Sequence, residues 1–485
     1  MSERPNILLI TTDQQRWDAV GGTGPSFLRT PHFDHLCREG VRFNRAYSDC
    51  PVCVPARRTI MTGQHAHTHG MTENSVPVPV DPATTLPGQL TAAGYQSVAI
   101  GKMHFHPQRQ RQGFQEMILP DDYYREKARQ GGPQPMRHGL GQNEITPTMS
   151  TVPETETLTS WIAERSVDFI THRRDPSAPF FLWTSFSKPH PPLDPPEPYY
   201  SMYRDADIPE PVCGDWARSE DCPVALRRMW ERMDGDVSPE IIREARAAYY
   251  GLITQIDFNL GRIFAALRAS GQWKNTIILF TSDHGEYLGD HGGMWKGFFH
   301  ESSARVPFVL RLPPAEPWTS SDRCVDDLVC LADIYPTLLQ AAGVAVPDAV
   351  DGVNLLPRVE EKRAPESRRV VSVFATDPEH CYQLAITDGR WKYLWFPEGA
   401  AEQLFDLESD PAELHNRATD ADDDVAAVKA ELRDALIAEL TAKKSPYVVE
   451  RDLLRRPVQE DPPGFRGAHR FPGFSLEQSD RDSRH

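Results

Sequence analysis

The chain has 485 residues, of which 39% are hydrophobic and 25% are charged. That length implies more than one hydrophobic core, and the globular composition excludes wholesale disorder. The formal net charge is −17, since Lys and Arg number 52 and Asp and Glu number 69. Nucleic acids and anionic membranes would repel such a chain, so we expect neither as a partner and expect a small molecule instead.

The beginning of the chain and its cysteines predict a soluble, cytoplasmic protein with reduced thiols. The apolar run at residues 7–10 is too short for the core of a signal peptide, and no later run reaches membrane-spanning length. Eight cysteines are sparse for this length and do not resemble the disulfide framework of a small secreted domain.

The first third of the chain alternates short apolar runs with helical stretches, which is typical of an α/β domain with buried parallel strands. Strands are predicted, in chain order, at residues 6–11, 95–100, 180–186, 276–280 and 307–312. Helices are predicted at residues 86–93 and 241–269. The Gly- and Pro-rich stretch 113–153 is predicted to be a loop, as are residues 189–198 and 205–211, and such insertions usually shape a binding site.

The pattern changes after the charged residues 360–363. Strands are predicted at 370–375, 382–387 and 391–396, with a hairpin turn at 387–390, followed by a helix at 424–440. We therefore divide the chain into a large domain of residues 1–365, a small α+β subdomain of residues 366–444 and an extended tail of residues 445–485. Packing of this tail on a neighbouring subunit predicts a homo-oligomer.

The most informative motif is Cys53-Val54-Pro55-Ala56-Arg57, followed directly by Arg58. A cysteine that opens a helix, with arginines one turn later, lies in a field that stabilises an anion. The alternative is an ordinary cysteine in a turn. A thiol phosphatase would need Arg at position 59, which is Thr. Cys50 and Cys53 form Cys-x-x-Cys, but the sequence has neither a second pair at zinc spacing nor a thioredoxin-like context.

Acidic residues follow two of the predicted strands. Asp13-Gln14 comes after the first strand, and Asp283-His284-Gly285-Glu286 follows the strand at 276–280. Polar residues at the carboxyl ends of parallel strands lie where open α/β sheets bind ligands. Each Asp alone would be an ordinary cap or loop residue, but together they predict a site for a divalent cation.

These motifs together resemble the formylglycine-dependent sulfatases of the alkaline-phosphatase-like superfamily. The resemblance is carried, in order, by Asn6 to Gln14, Cys53-x-Pro55-x-Arg57, Gly101-Lys102-Met103-His104, Lys188-Pro189-His190, and Asp283 to Lys296, with a carboxyl-terminal signature from Leu404 to Asn416. It implies an α/β fold: a large mixed, mainly parallel sheet flanked by helices, with a smaller C-terminal antiparallel sheet and helix.

The resemblance also implies a modified nucleophile and a metal. A formylglycine-generating enzyme would oxidise Cys53, with Pro55 and Arg57 as its recognition signal. Asp13, Gln14, Asp283 and His284 would bind the metal together with an oxygen of modified Cys53. The family often has a second Asp at the position of Gln14. In this departure the chain resembles the choline-sulfatase and phosphonate-hydrolase branches. Oxygen ligands favour Ca²⁺, whereas the imidazole also suits Mn²⁺.

The implied reaction is of the arylsulfatase type: a small sulfate monoester is hydrolysed through a covalent sulfate ester on residue 53. Arg57 would stabilise the formylglycine hydrate, Lys102 and Lys296 would hold the sulfuryl oxygens, and His190 with Lys296 would protonate the leaving oxygen. His104 would deprotonate the second hydroxyl of the hydrate. Asn74 and Lys188 are candidates for substrate contact, although each also fits a purely structural role in a loop.

Alternatives remain open at this point. A phosphonate monoester or phosphodiester hydrolase would share the scaffold, although that branch resembles this chain less where Tyr and Thr replace Lys102 and His104. A silent binding protein with unmodified Cys53 is a third possibility. His65, His67 and His69 resemble a metal-binding tract, but we expect a solvated helix end.

Overall fold

The computed structural model describes residues 4–74, 78–131, 143–231, 237–313, 323–360, 367–377 and 381–459. The strands of these segments are β1 (Asn6–Asp13), β2 (Val41–Tyr47), β3 (Gln96–Gly101), β4 (Glu116–Ile118), β5 (Phe180–Pro189), β6 (Thr276–Ser282), β7 (Phe308–Arg311), β8 (Arg323–Cys330), β9 (Val370–Asp377), β10 (Cys381–Thr387), β11 (Trp391–Phe396), β12 (Ala401–Asp406), β13 (Val448–Val449) and β14 (Asp452–Leu453). The α-helices are α1 (Pro31–Glu39), α2 (Cys53–Thr62), α3 (Ala66–His69), α4 (Leu86–Ala92), α5 (Pro120–Gln130), α6 (Leu158–Asp168), α7 (Val224–Glu231), α8 (Pro239–Ala269), α9 (Glu301–Ala304), α10 (Ile334–Ala341), α11 (Leu356–Val359) and α12 (Asp423–Ala442).

The larger sheet has eight strands in the order β4-β3-β5-β1-β6-β7-β2-β8. Its neighbours are parallel except at β7, which runs antiparallel to both β6 and β2. Helices cover both faces, so the predicted mixed, mainly parallel α/β sheet is confirmed. The predicted strands at 6–11, 95–100, 180–186, 276–280 and 307–312 correspond to β1, β3, β5, β6 and β7.

The centre of this sheet explains why its strands are continuous apolar runs. In β1, Ile7 and Leu9 belong to one buried cluster, whereas Leu8 and Ile10 belong to the cluster on the opposite face. Leu8 lies between Leu182 of β5 and Ile278 of β6. A strand with helices on both faces needs apolar residues at every position, and β1 is buried along its whole length.

The smaller sheet is antiparallel, with the order β12-β11-β10-β9. The predicted strands and hairpin turn at 387–390 are confirmed, and β12 is an additional strand. Helix α12 buries Leu432, Leu436 and Leu440 against this sheet. The predicted boundary between residues 365 and 366 lies outside the described residues. Within the predicted tail, β13 and β14 pair with each other, and residues 460–485 lie outside the described residues.

The prediction that residues 113–153 form a loop was wrong for the part that includes β4 and α5. Helix α5 carries Pro at its start, Asp121 and Asp122 in its first turn, and Gly131 in the left-handed conformation at its end. It buries only Tyr123, so it lacks the apolar periodicity that identifies a helix in a sequence. Residues 132–142 of this stretch lie outside the described residues.

Across the described segments, no helix combines the length and the apolar character needed to span a bilayer.

Candidate active site

The carboxyl ends of two central strands bring the predicted acidic residues together. Asp13 is the last residue of β1, and Asp283 directly follows the neighbouring parallel strand β6. Cys53 is the first residue of α2, and its Sγ lies 3.6 Å from Asp13 Oδ1. One ligand atom each of Asp13, Cys53, Asp283 and His284 lies within 4.8 Å of the others, and all four residues are buried.

The imidazole of His284 is oriented toward this group by a hydrogen bond to the backbone of the next residue. Its Nδ1 donates to the carbonyl oxygen of Gly285 at 2.9 Å, which leaves Nε2 as the acceptor. Nε2 lies 3.2 Å from Cys53 Sγ and 3.6 Å from Asp283 Oδ1. Two carboxylates and a lone pair of imidazole around residue 53 are a donor set that fits a divalent cation.

Gln14, the remaining predicted metal ligand, lies at the same edge of the sheet. Its backbone N–H donates to Asp283 Oδ1 at 3.1 Å. Its side-chain oxygen accepts from Lys296 Nζ at 2.6 Å, and its amide nitrogen donates to Glu286. The amide oxygen is therefore hydrogen-bonded to a positively charged group, the Lys296 ammonium.

Arg57 holds the two carboxylates of the site in place. Its Nε donates to Asp283 Oδ2 at 3.0 Å, and its Nη2 lies 3.2 Å from Asp13 Oδ2. Its Nη1 donates to Ser185 Oγ at 2.8 Å and to the carbonyl oxygen of Lys102 at 2.5 Å. The guanidinium is completely buried, and it joins segments of four adjacent strands.

The field at residue 53 favours an anion. Burial and Asp13 would raise the pKa of the Cys53 thiol, but Lys102, Lys296 and His284 outweigh them and hold it well below its usual value. Lys102 Nζ lies 4.0 Å from Cys53 Sγ and 2.5 Å from Asp13 Oδ2. The start of α2 adds the positive end of a helix dipole at the same place.

His190 and Lys296 form a hydrogen-bonded pair beside this group. His190 Nδ1 donates to the carbonyl oxygen of Pro191 at 2.7 Å, so Nε2 accepts from Lys296 Nζ at 3.0 Å. Burial, and then the Lys296 ammonium, hold the pKa of His190 well below its usual value. The backbone N–H of His190 also donates to the Asp13 carbonyl oxygen, which ties this loop to β1.

The other predicted residues surround the same place. His104 follows β3, where burial lowers the pKa of its imidazole, and its Nδ1 has no hydrogen-bond partner among the described residues. Asn74 Oδ1 accepts from the Val54 backbone N–H at 3.0 Å and so caps α2. Lys188 forms an ion pair with Asp194. Lys102, His104, Lys188 and His190 line one cavity of about 400 Å³.

Comparison with known protein families decides the identity of this site. The sulfatase family model matches residues 5–344, and a model described as the C-terminal part of N-sulphoglucosamine sulphohydrolase matches residues 289–443. The chain belongs to the sulfatase family. The family and the enzyme class predicted from the motifs, sulfuric ester hydrolase, are thereby confirmed.

Named relatives agree with this assignment. The chain is 36% identical to an arylsulfatase of Clostridium perfringens (strain 13 / Type A), over 93% of this chain and 98% of that protein. It is 30% identical to a choline-sulfatase of Rhizobium meliloti (strain 1021), over 86% of this chain and 82% of that protein. The crystal structure of a phosphonate monoester hydrolase of Agrobacterium radiobacter superimposes with a TM-score of 0.80 at 29% identity, covering 93% of this chain and all of that one.

Two residues of this sulfatase site were not assigned a role from the sequence. Ser185 accepts a hydrogen bond from Arg57 within β5, and the only signal for it is a hydroxyl near the carboxyl end of a buried strand, which Thr184 also carries. Glu286 belongs to the recognised motif and is buried, where it accepts from Gln14 and from the backbone N–H of Leu288 and Trp295. It thereby orients the amide that Lys296 contacts.

The prediction of a solvated helix end at the three histidines was wrong. The side chains of His65 and His67 are 9% and 1% exposed, respectively. His65 lies 3.6 Å from Asp49, and His67 lies 3.6 Å from Glu439 of α12. The covering helix comes from the far end of the chain, so local sequence carries no signal for this burial.

Proposed function

We propose that this sulfatase hydrolyses a sulfate monoester with a formylglycine made from Cys53 and one divalent cation. Asp13, Asp283 and His284, with Gln14 and residue 53, would hold the cation, for which we favour Ca²⁺ over Mn²⁺. The observation that carries the proposal is the convergence of four buried ligand atoms at Cys53, within reach of Arg57 and Lys102.

The formylglycine and the cation would supply the nucleophile and part of the charge stabilisation. A formylglycine hydrate would offer an attacking oxygen and a second hydroxyl whose deprotonation releases sulfate, and the cation would act as a Lewis acid. Arg57 keeps Asp13 and Asp283 in position for this chemistry. Lys102, whose ammonium lies beside residue 53, binds a non-bridging oxygen of the sulfate.

The proton for the leaving oxygen comes from the Lys296–His190 pair. The ammonium of Lys296 already donates to His190 Nε2. His190 would take this proton and give it to the departing ester oxygen, which leaves as an alcohol, while Lys296 remains as a neutral amine. His104 serves the second half of the reaction. Its imidazole is hydrogen-bonded with Cys53, while its Nδ1 has no partner among the described residues, so the contact is made by Nε2. That nitrogen would accept the proton of the second hydroxyl.

A phosphonate monoester is the second candidate substrate, because a hydrolase of that class superimposes on 93% of the chain. Gln14 also fits that branch, as the motifs indicate. Lys102 and His104 favour a sulfate, since the phosphonate-hydrolase branch typically has the neutral residues Tyr and Thr at these two positions.

Peptide mass analysis and a rate comparison test the proposal together. The protein would be purified from cells that contain a formylglycine-generating enzyme, and the peptide with residue 53 should carry an aldehyde in place of the thiol. An aryl sulfate should be hydrolysed faster than an aryl phosphonate monoester, and Cys53→Ala should abolish both activities. An active enzyme with an intact thiol would contradict the nucleophile, and a phosphonate preference would contradict the substrate. Light scattering on the same sample tests the expected homo-oligomer, which a monomeric mass would contradict.

A further inference from the structure

The cavity beside the reacting groups has room for a compact organic group. Its volume is about 400 Å³, and its lining includes His104, His190 and Lys102, whose Nζ lies 4.0 Å from Cys53 Sγ. Binding pockets for small molecules span about 300–1,000 Å³, so this one lies at the small end of the range. One ring with a short substituent fits such a volume, whereas an oligosaccharide would have to extend outside it.

Much of the wall is apolar and comes from four separate segments. Helix α5, the stretch 150–159 and the loop after β5 meet here, together with α8. They contribute Pro120, Tyr123, Tyr124, Val152, Pro191 and Leu252. An aromatic ring gains from burial against such a surface both by the area removed from water and by contact with the tyrosine rings.

The charges around the cavity disfavour a second anionic group. The cationic side chains among its described lining residues, apart from the histidines, are Lys102 and Lys188. Lys102 lies 2.5 Å from Asp13 Oδ2, and Lys188 pairs with Asp194. Asp121 adds a further carboxylate to the wall, which accepts from Gln108 at 3.3 Å and lies 3.9 Å from Arg109.

We infer that this cavity takes the organic part of the substrate, and that this part is a compact, uncharged aromatic alcohol. The inference rests on the proposed sulfate-ester hydrolysis and specifies which esters are substrates. A carboxylate or second sulfate on the ring would lie near Asp121 and Asp194 without an unpaired lysine to receive it. Asp121 is therefore a residue that determines specificity by charge.

The test compares phenyl sulfates of equal size that differ in charge. We expect kcat/KM for 3-carbamoylphenyl sulfate to exceed that for 3-carboxyphenyl sulfate by about tenfold, the effect of one like-charge contact at a partly solvated site. Unsubstituted phenyl sulfate is the reference, and a sulfated disaccharide should be a poorer substrate than either neutral ester. A carboxylate turned over as well as the amide, or a disaccharide preferred to the phenyl esters, would overturn the inference.

An Asp121→Asn variant separates the effect of charge from the reactivity of the leaving group. Both esters keep the same leaving groups in both enzymes, so only recognition changes their ratio. We expect Asp121→Asn to lower the kcat/KM ratio of the amide ester to the carboxylate ester about threefold. The effect is modest because the carboxylate that the substitution removes is partly screened by water. Asp434→Asn makes the same charge change on an exposed position of α12 and should leave the ratio unaltered. An unchanged ratio in Asp121→Asn would overturn the role of that residue.

The same measurements distinguish a failure of the proposed function from a failure of the cavity assignment. If none of the esters releases sulfate while the peptide with residue 53 carries the aldehyde, sulfate-ester hydrolysis itself is overturned. If the neutral esters are hydrolysed but charge and size make no difference, only the assignment of the cavity is overturned.

Discussion

A single guanidinium connects most of the side chains at this site. Arg57 lies on α2, yet its hydrogen bonds reach Asp13, Asp283, Ser185 and the backbone of residue 102. The planar fork of arginine can serve several acceptors at fixed angles, whereas an ammonium is a compact point charge on a flexible stem. The two carboxylates therefore depend on this fork both for neutralisation and for orientation.

Replacing Arg57 by Lys should damage the site even though the positive charge remains. We expect the free energy of unfolding to fall by about 3 kcal/mol, because buried carboxylates lose their hydrogen-bond partners. Sulfate release should fall to near the background rate. Urea denaturation and an aryl-sulfate assay measure the two effects.

Arg58→Lys is the matched control on the next position of the same helix. Arg58 donates to the Val78 carbonyl oxygen at 2.6 Å, and losing that contact should cost about 1 kcal/mol with activity retained. If the two variants behave alike, the geometry of Arg57 has no special role.

At the scale of elements, helix α2 is the part that positions residue 53. All ten of its residues are buried, and Asn74 caps its start through the Val54 N–H. It ends at Gly63, which has a φ of 67° in the left-handed region. The N–H groups of residues 351 and 352 both donate to the Gly63 carbonyl oxygen, so this end is anchored as well.

Gly63→Ala should disturb this anchor more than an equivalent change elsewhere. A Cβ at Gly63 would lie 2.8 Å from atoms of both Tyr335 and Val350, in addition to the strain of a positive φ. We expect a loss of about 3 kcal/mol in unfolding free energy, measured by urea denaturation. Gly70→Ala is the control, because Gly70 has a φ of 75° and a Cβ there would meet no atom within 4 Å. It should cost only about 1 kcal/mol, and equal losses would contradict the packing argument.

Elements with two covered faces or a clear turn could be predicted from the sequence. Strand β1 was predicted from a continuous run of apolar residues, and the long helix α8 from their helical periodicity. Helix α5 did not, because it buries a single residue and its evidence consisted only of end signals. Strands β2 and β8 were missed for a similar reason, since charged residues interrupt both.

The candidate site divides in the same way. Residues that directly follow buried strands, such as Asp13 and Asp283, could be placed together because parallel strands end at one edge. The burial of His67 beneath Glu439 depends on a contact between residues hundreds of positions apart, which local patterns do not encode. The pairing of Lys188 with Asp194 depends on the path of a loop, which likewise left no signal in the sequence.

At the scale of the whole molecule, a buried ionic network joins the two sheets. Lys392 of β11 lies 2.5 Å from Glu301 of α9 and 2.9 Å from Glu413. The hydroxyl of Tyr47 in β2 also donates to Glu301 at 2.8 Å. Burial raises the pKa of Glu413 to about 7, although Lys392 opposes that shift. Charges with little access to water thus contribute to the attachment of the small sheet to the large one, beside an apolar cluster that spans both sheets.

Lys392→Met should weaken this attachment in a manner that depends on pH. Without the ammonium, the folded-state pKa of Glu413, which burial already raises, would rise further. The pKa of Glu301, which Lys392 and Arg305 hold below its usual value despite burial, would rise as well. A raised folded-state pKa contributes stability below the unfolded pKa that is lost as pH rises through the folded one. We therefore expect the loss in unfolding free energy to reach about 3 kcal/mol at pH 8 and to be clearly smaller at pH 5.5.

Urea denaturation of both proteins at the two pH values measures the difference, and the wild-type curve removes contributions from all other groups. Lys429→Met is the control, since Lys429 lies 3.5 Å from Glu402 at a partly exposed position of the same subdomain. Its loss should be below about 1 kcal/mol and nearly independent of pH. A penalty for Lys392→Met that stayed constant between the two pH values would mean that the carboxylates find other partners, and that the network does not carry the attachment between the sheets.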